Sequence, residues 1–213
     1  MRTMKKRLIS ILLAVSLLFI PVAAVSDINR LEKTDTIVID GVVYEDSYLE
    51  FVKATMDESV RHWTIVIHTN GGDAHATTGI INRIKAMKKN GVTFTTFTET
   101  KAFSAGGYIF LMGDRRVIVD GAHLMFHTMM QQMEDWQAEQ ARKTNPSTIA
   151  MIEGMDEWIG QRFREVTGCT ETVANYFLKG EMPDGSRVAE GAQFMSALTA
   201  YNMNIATHYI SYD

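Results

Sequence analysis

Between residues 36 and 129 the chain alternates β-branched runs with segments of helical period, and that alternation restricts it to layered α/β architectures. "TIVIDG" (36–41) reads as a strand closed by Gly41, and "DSYLEFVKATMDES" (46–59) as a helix with Tyr48, Leu49, Val52 and Met56 on one face. "HWTIVIHT" (62–69) reads as a strand ended by "NGG" (70–72). "ATTGIINRIKAMKKNG" (76–91) is a helix with lysines in its last turn and an Asn-Gly stop. A strand over 92–100, a helix over 104–113 and short strands over 115–121 and 123–129 complete the series. Strands separated by helices at this spacing predict parallel βαβ units.

Residues 131–166 break the rhythm. They are polar and charged with apolar residues at helical spacing, and Pro146 interrupts them. They are expected to form a helical arm that projects and packs on a neighbouring subunit; a plain surface hairpin of two helices is the other reading. Length fits one α/β domain over residues 25–213, and 46% hydrophobic against 22% charged residues argues against disorder.

The first 24 residues differ in kind. "MRTMKKR" is cationic, "LISILLAVSLLFI" is apolar, and "PVAA" supplies small residues at Val22 and Ala24. This is the pattern of an export signal cut after Ala24, or of an uncleaved N-terminal membrane anchor; both place the domain outside the cytosol, in a periplasmic or secreted setting. Cleavage would leave 17 of the 21 basic residues against 25 acidic ones, a net charge of −8. With no basic block beyond the N-terminus, nucleic acid is not an expected partner. Cys169 is the only cysteine, so no intramolecular disulfide forms.

Three features could carry chemistry. In "KAFSAGGYIFLMG" (101–113), Ser104 stands at a strand-to-helix junction. Alone it reads as a helix N-cap. His127, at the end of "HLMFHTM", reads alone as a structural histidine or as a base at a strand end. An imidazole suits the task of taking a serine proton. Gly71 and Gly72 form a turn at which backbone N–H groups can face an oxyanion. The turn lacks the G-x-G-x-x-G and Walker spacings, so nucleotide binding is set aside.

Together "HTNGGDAHATTGI" and "KAFSAGGYIFLMGDRRVIVDGAHLMFHTMM" resemble the proteolytic subunit of the Clp serine peptidases, in order and spacing over residues 65–129. The resemblance implies a ClpP/crotonase-like α/β fold, a repeated ββα superhelix with a projecting helical arm. It implies Ser104 as nucleophile, His127 as general base, and the amides of Gly72 and Ala105 as the oxyanion hole. The family's third member is an Asp just before an aromatic and a Leu, ahead of a final helix. "ANYFLKG" puts Asn175 there, a departure from the family. An Asn can fix the ring's tautomer but supplies no charge; in trypsin-like enzymes that exchange costs about 10⁴ in turnover, while papain-like enzymes work with Asn.

Asp184, in "MPDG", is the other candidate third member, although a turn residue is its plainer reading. The related signal-peptide-peptidase-A group pairs Ser with Lys. Lys143 is the candidate base for that reading, in a polar setting that argues against a depressed pKa. The expected function is a serine endopeptidase acting on peptides or unfolded polypeptides as a homo-oligomeric ring. It calls for no metal or cofactor, and for no ATPase partner if the chain is exported. A non-catalytic oligomeric scaffold and an acyl-CoA enzyme on the same fold are the alternatives from other classes.

Overall fold

The computed structural model describes residues 33–129, 135–184, 186 and 193–212. The expected export signal or anchor over residues 1–24 lies outside them. Eight strands are described: β1 (Lys33–Val43), β2 (Val60–Gly72), β3 (Thr93–Thr98), β4 (Lys101–Phe103), β5 (Arg115–Val119), β6 (His123–Phe126), β7 (Gln193–Ser196) and β8 (His208–Ile210). Seven helices accompany them: α1 (Glu45–Ala54), α2 (Ala74–Lys89), α3 (Ala105–Phe110), α4 (Asp135–Thr144), α5 (Pro146–Thr167), α6 (Glu171–Lys179) and α7 (Ala197–Asn202). This is the expected α/β class.

The long strand β2 is shared by two sets of pairings. Residues His62–Val66 pair in parallel with β3, which pairs with β5, and β5 with β8. Farther along, Thr69 pairs with Ala102 of β4, β4 runs parallel to β6, and β7 closes that set antiparallel to β6. The strand expected over 92–100 is β3 and stops at Thr98; after Glu99 and Thr100 a separate short strand, β4, which the sequence did not announce, runs to Phe103. β2 itself runs through Gly71 and Gly72 rather than ending before them.

The core lies between this sheet and the helices. Trp63, Ile65 and Ile67 of β2 are buried with Ile80, Ile81 and Ile84 of α2 and with Tyr108, Ile109 and Phe110 of α3. Asp73 caps α2 by accepting from the Ala76 N–H at 2.8 Å. The small residues after Ser104 are explained by close packing. A Cβ on Gly106 would run into the Thr69 side chain, and one on Gly107 would sit 2.9 Å from the Met125 carbonyl oxygen. Helix α3 thus lies tight against β2 and β6.

Helix α1 differs from expectation in length and in its buried face. It stops at Ala54, where the Thr55 hydroxyl bonds back to the Phe51 carbonyl at 2.8 Å and Arg83 takes the Thr55 carbonyl at 2.6 Å. Phe51 is buried, with Tyr48 beside it, while Leu49 and Met56 are exposed. The large aromatic ring, not the aliphatic spacing, decides which face turns inward.

The 131–166 segment contains α4 and α5, with Pro146 opening α5 at a position that needs no N–H. Arg142 and Glu153 pair across the two helices at 3.0 Å, and Ala138 and Ile149 are buried. The second half of α5 is part of the core: Phe163 meets Phe126 edge-on at 5.5 Å and Phe177 at 5.9 Å. Arg116 anchors the C-terminal segment, reaching the carbonyls of Ile205, Gly113 and Asn204. Burial, with Arg162 nearby, pushes its pKa down to about 10. Among the described residues no helix is long and apolar enough to cross a membrane.

Candidate active site

Parallel pairing brings the key side chains together. β4 and β6 are neighbours with Phe103 opposite Met125. Ser104 is the residue after β4, and His127 the residue after β6. Parallel strands point their carboxyl ends the same way, so both residues emerge at one edge, where α/β sheets place ligands. The Ser104 N–H donates to the Met125 carbonyl at 2.9 Å, which locks the two strand ends together.

Ser104 Oγ lies 2.7 Å from His127 Nε2. The backbone of Ser104 takes φ 51°, ψ −114°, a conformation that a residue with a Cβ adopts only under constraint. Ser104 does occupy the N-cap position of α3, but its side chain makes no capping hydrogen bond. The hydroxyl is turned to the imidazole instead.

The ring's tautomer follows from its other nitrogen. His127 Nδ1 lies 3.0 Å from the Thr128 carbonyl oxygen, which can only accept. Nδ1 therefore carries the hydrogen, and Nε2 offers a lone pair to the Ser104 hydroxyl. His127 is buried, whereas His123 is exposed.

The loop after His127 is held from three sides. The Tyr108 hydroxyl of α3 donates to the His127 carbonyl. The Thr128 N–H donates to the Leu178 carbonyl of α6 at 2.7 Å, and the Met129 N–H to Asp156 Oδ1 of α5 at 2.7 Å. Burial above all, and then the Asp156 carboxylate, hold the Tyr108 hydroxyl well above the usual phenol range, so it stays protonated as a donor.

A cleft of about 320 Å³ opens beside this pair, lined by Gly72, Ala74, Thr77, Ser104, Ala105, Tyr108, Met129 and Ile152. Gly72 ends β2 and Ala105 begins α3, so the two expected oxyanion donors border the space that holds the serine. The arrangement can take a proton from a hydroxyl and hold an acyl group beside it. Among the described residues no cluster of His, Cys, Asp and Glu could hold a metal ion.

Lys143 stands elsewhere. It is exposed on α4, with Nζ 2.7 Å from Glu139 Oε1. This placement gives the Ser–Lys reading no support, because the ammonium reaches a surface carboxylate of its own helix and no hydrogen bond joins it to Ser104. Asp184 is fully exposed and accepts from the Ser186 hydroxyl at 2.6 Å and its N–H at 2.9 Å. The Ser186 hydroxyl and N–H hold its carboxyl below the usual range. Those bonds are what a turn residue makes.

The family model described as Clp protease matches residues 23–177. The chain belongs to the Clp protease family. Its fold is similar to a solved Clp structure, an Asn-to-Asp mutant of ClpP1 from Listeria monocytogenes. That match has a TM-score of 0.61 and 20% identity, and covers 83% of this chain and 91% of that one. No curated protein sequence matches the chain.

Membership makes the protein a Clp-type peptidase. Asn175 is the residue that the resemblance sets third beside Ser104 and His127. It is half-buried within α6, and its side chain makes no hydrogen bond to His127. Its carbonyl caps the helix by accepting from the Gly180 and Glu181 N–H groups. Sequence reasoning missed Tyr108 and Asp156. Tyr108 carried a signal, since it sits one helical turn after Ser104. Asp156 carried none, because its spacing to His127 means nothing until α5 docks on the sheet.

Proposed function

We propose that this Clp-family chain is a serine endopeptidase that forms an acyl-enzyme on Ser104. His127 Nε2 takes the hydroxyl proton as the oxygen attacks the peptide carbonyl, then returns it to the leaving amine. The amides of Gly72 and Ala105 hold the developing oxyanion. Water then repeats the sequence, attacking the ester with His127 again as base. The observation that carries this reading is the 2.7 Å contact between Ser104 Oγ and His127 Nε2, with Nδ1 bonded to a carbonyl that fixes the required tautomer.

The substrates are peptides or unfolded polypeptides lying extended beside the end of β2. The family resemblance supports a homo-oligomeric ring built through the α4–α5 segment. The N-terminal pattern supports export, where ATP is scarce, so the enzyme acts without an ATP-driven unfoldase; a pull-down that recovers a stoichiometric ATPase would refute that part. Fluorophosphonate labelling of wild type beside Ser104→Ala, His127→Ala, Asn175→Ala and Lys143→Ala tests the chemistry. The first two variants lose labelling and the last two keep it. Equal labelling of wild type and Ser104→Ala would end the reading.

A further inference from the structure

We infer that Asp156 is a positioning residue for His127, acting through the peptide unit between Thr128 and Met129. The two groups that matter belong to one planar amide. Its carbonyl, Thr128 O, accepts from His127 Nδ1 at 3.0 Å, and its N–H, on Met129, donates to Asp156 Oδ1 at 2.7 Å. A peptide bond is rigid and conjugated. A carboxylate on the N–H side fixes the plane, and so fixes where the carbonyl points. It also draws electron density onto the oxygen, because hydrogen bonds in a chain polarise one another. The imidazolium formed during proton transfer then meets a carbonyl made more negative by Asp156.

The geometry around the unit supports the role. The Thr128 N–H is tied to Leu178 and the His127 carbonyl to the Tyr108 hydroxyl, so the peptide unit between His127 and Thr128, next to the one that faces Asp156, is held at both ends. Among the described residues, the titratable groups on the elements that hold this unit include Tyr108 on α3, Asp156 with its sequence neighbours Glu153 and Glu157 on α5, and Lys179 next to Leu178 on α6. Glu153, Glu157 and Lys179 are exposed and Tyr108 stays neutral, whereas Asp156 is half-buried and bonded directly to the unit.

The inference rests on the reading of Ser104 and His127 as nucleophile and base, and its test separates the two. Asp156→Asn keeps an acceptor for the Met129 N–H and removes the charge. It is expected to lower kcat/KM on a fluorogenic peptide roughly tenfold and to move the acid limb of the rate–pH profile down by about half a unit. Asp156→Glu, which restores the charge, returns the limb toward wild type. An unmoved acid limb in Asp156→Asn overturns the inference while leaving the Ser104 reading intact. If Asp156→Asn does not fold, nitrogen-15 NMR of the full-length wild type decides: the expected tautomer carries hydrogen on His127 Nδ1, and hydrogen on Nε2 overturns the relay. Loss of the peptidase reading itself would show separately, as unchanged turnover in Ser104→Ala.

Discussion

Gly71 packs against Ser104 so closely that a Cβ at position 71 would lie 2.7 Å from the Ser104 Cβ. Gly71 also holds φ at +112°, a conformation open mainly to glycine. The end of β2 is thereby folded over the serine, and the glycine pair singled out by the sequence divides into two tasks. Gly71 makes room for the serine, and Gly72 borders the cleft.

Gly71→Ala is therefore expected to damage chemistry more than folding. Backbone strain costs about 1–3 kcal/mol. A shift of the hydroxyl by about 1 Å costs on the order of 100-fold in rate. Labelling kinetics beside a urea melt check this: a variant that labels at the wild-type rate would show that the close approach is irrelevant to the hydroxyl's position.

The strain at Ser104 predicts a trade of stability for reactivity. With φ at 51° and ψ at −114°, the residue sits where glycine rests comfortably. Ser104→Gly is expected to be more stable than Ser104→Ala by about 1 kcal/mol, both being inert to the probe. Denaturant titration of the two inert variants isolates the backbone term, because neither retains the hydroxyl.

Tyr108→Phe tests the brace over the base. It removes the donor to the His127 carbonyl inside the core, which costs about 1–3 kcal/mol where the acceptor is left without a replacement. Labelling is expected to slow as the loop after β6 relaxes. A variant unchanged in both melting temperature and labelling would remove Tyr108 from the site.

Sequence alone reached the pairing of Ser104 with His127 through the resemblance to the Clp peptidases in order and spacing, and through the fitness of an imidazole to take a serine proton. The residues that precede them, "KAF" and "HLMF", carry no strong strand signal of their own. Sequence alone did not read Lys101–Phe103 as a strand of its own, since only pairing with the far part of β2 and with β6 separates β4 from β3. The third position is less legible, because Asn175 stands inside α6, and how that helix docks beside the loop after His127 is fixed by contacts distant in sequence. Asp156 is of the same kind: its meaning comes from how α5 docks.

Lys143→Ala and Asp184→Ala serve as the silent pair. Lys143 makes an exposed i,i+4 ion pair with Glu139, the sort worth about 0.3–0.5 kcal/mol. Asp184 holds only its own turn. Both are expected to label and cleave within twofold of wild type. A large loss in Lys143→Ala would revive the Ser–Lys reading.

The cleft beside Ser104 predicts a preference for apolar side chains next to the scissile bond. Met129 and Ile152 line it together with Ala74, Ala105 and the Thr77 side chain, and Ile152 is buried where α5 faces the serine. An apolar side chain entering such a space gains about 0.8 kcal/mol for each CH₂ it buries. Ile152→Ala deepens the cleft, at a cost to folding of about 2 kcal/mol or more. The ratio of kcat/KM for peptides with Phe against Ala at that position is expected to rise several-fold in the variant. Lost stability lowers both rates together and leaves the ratio alone, so an unchanged ratio would place the substrate side chain somewhere other than this cleft.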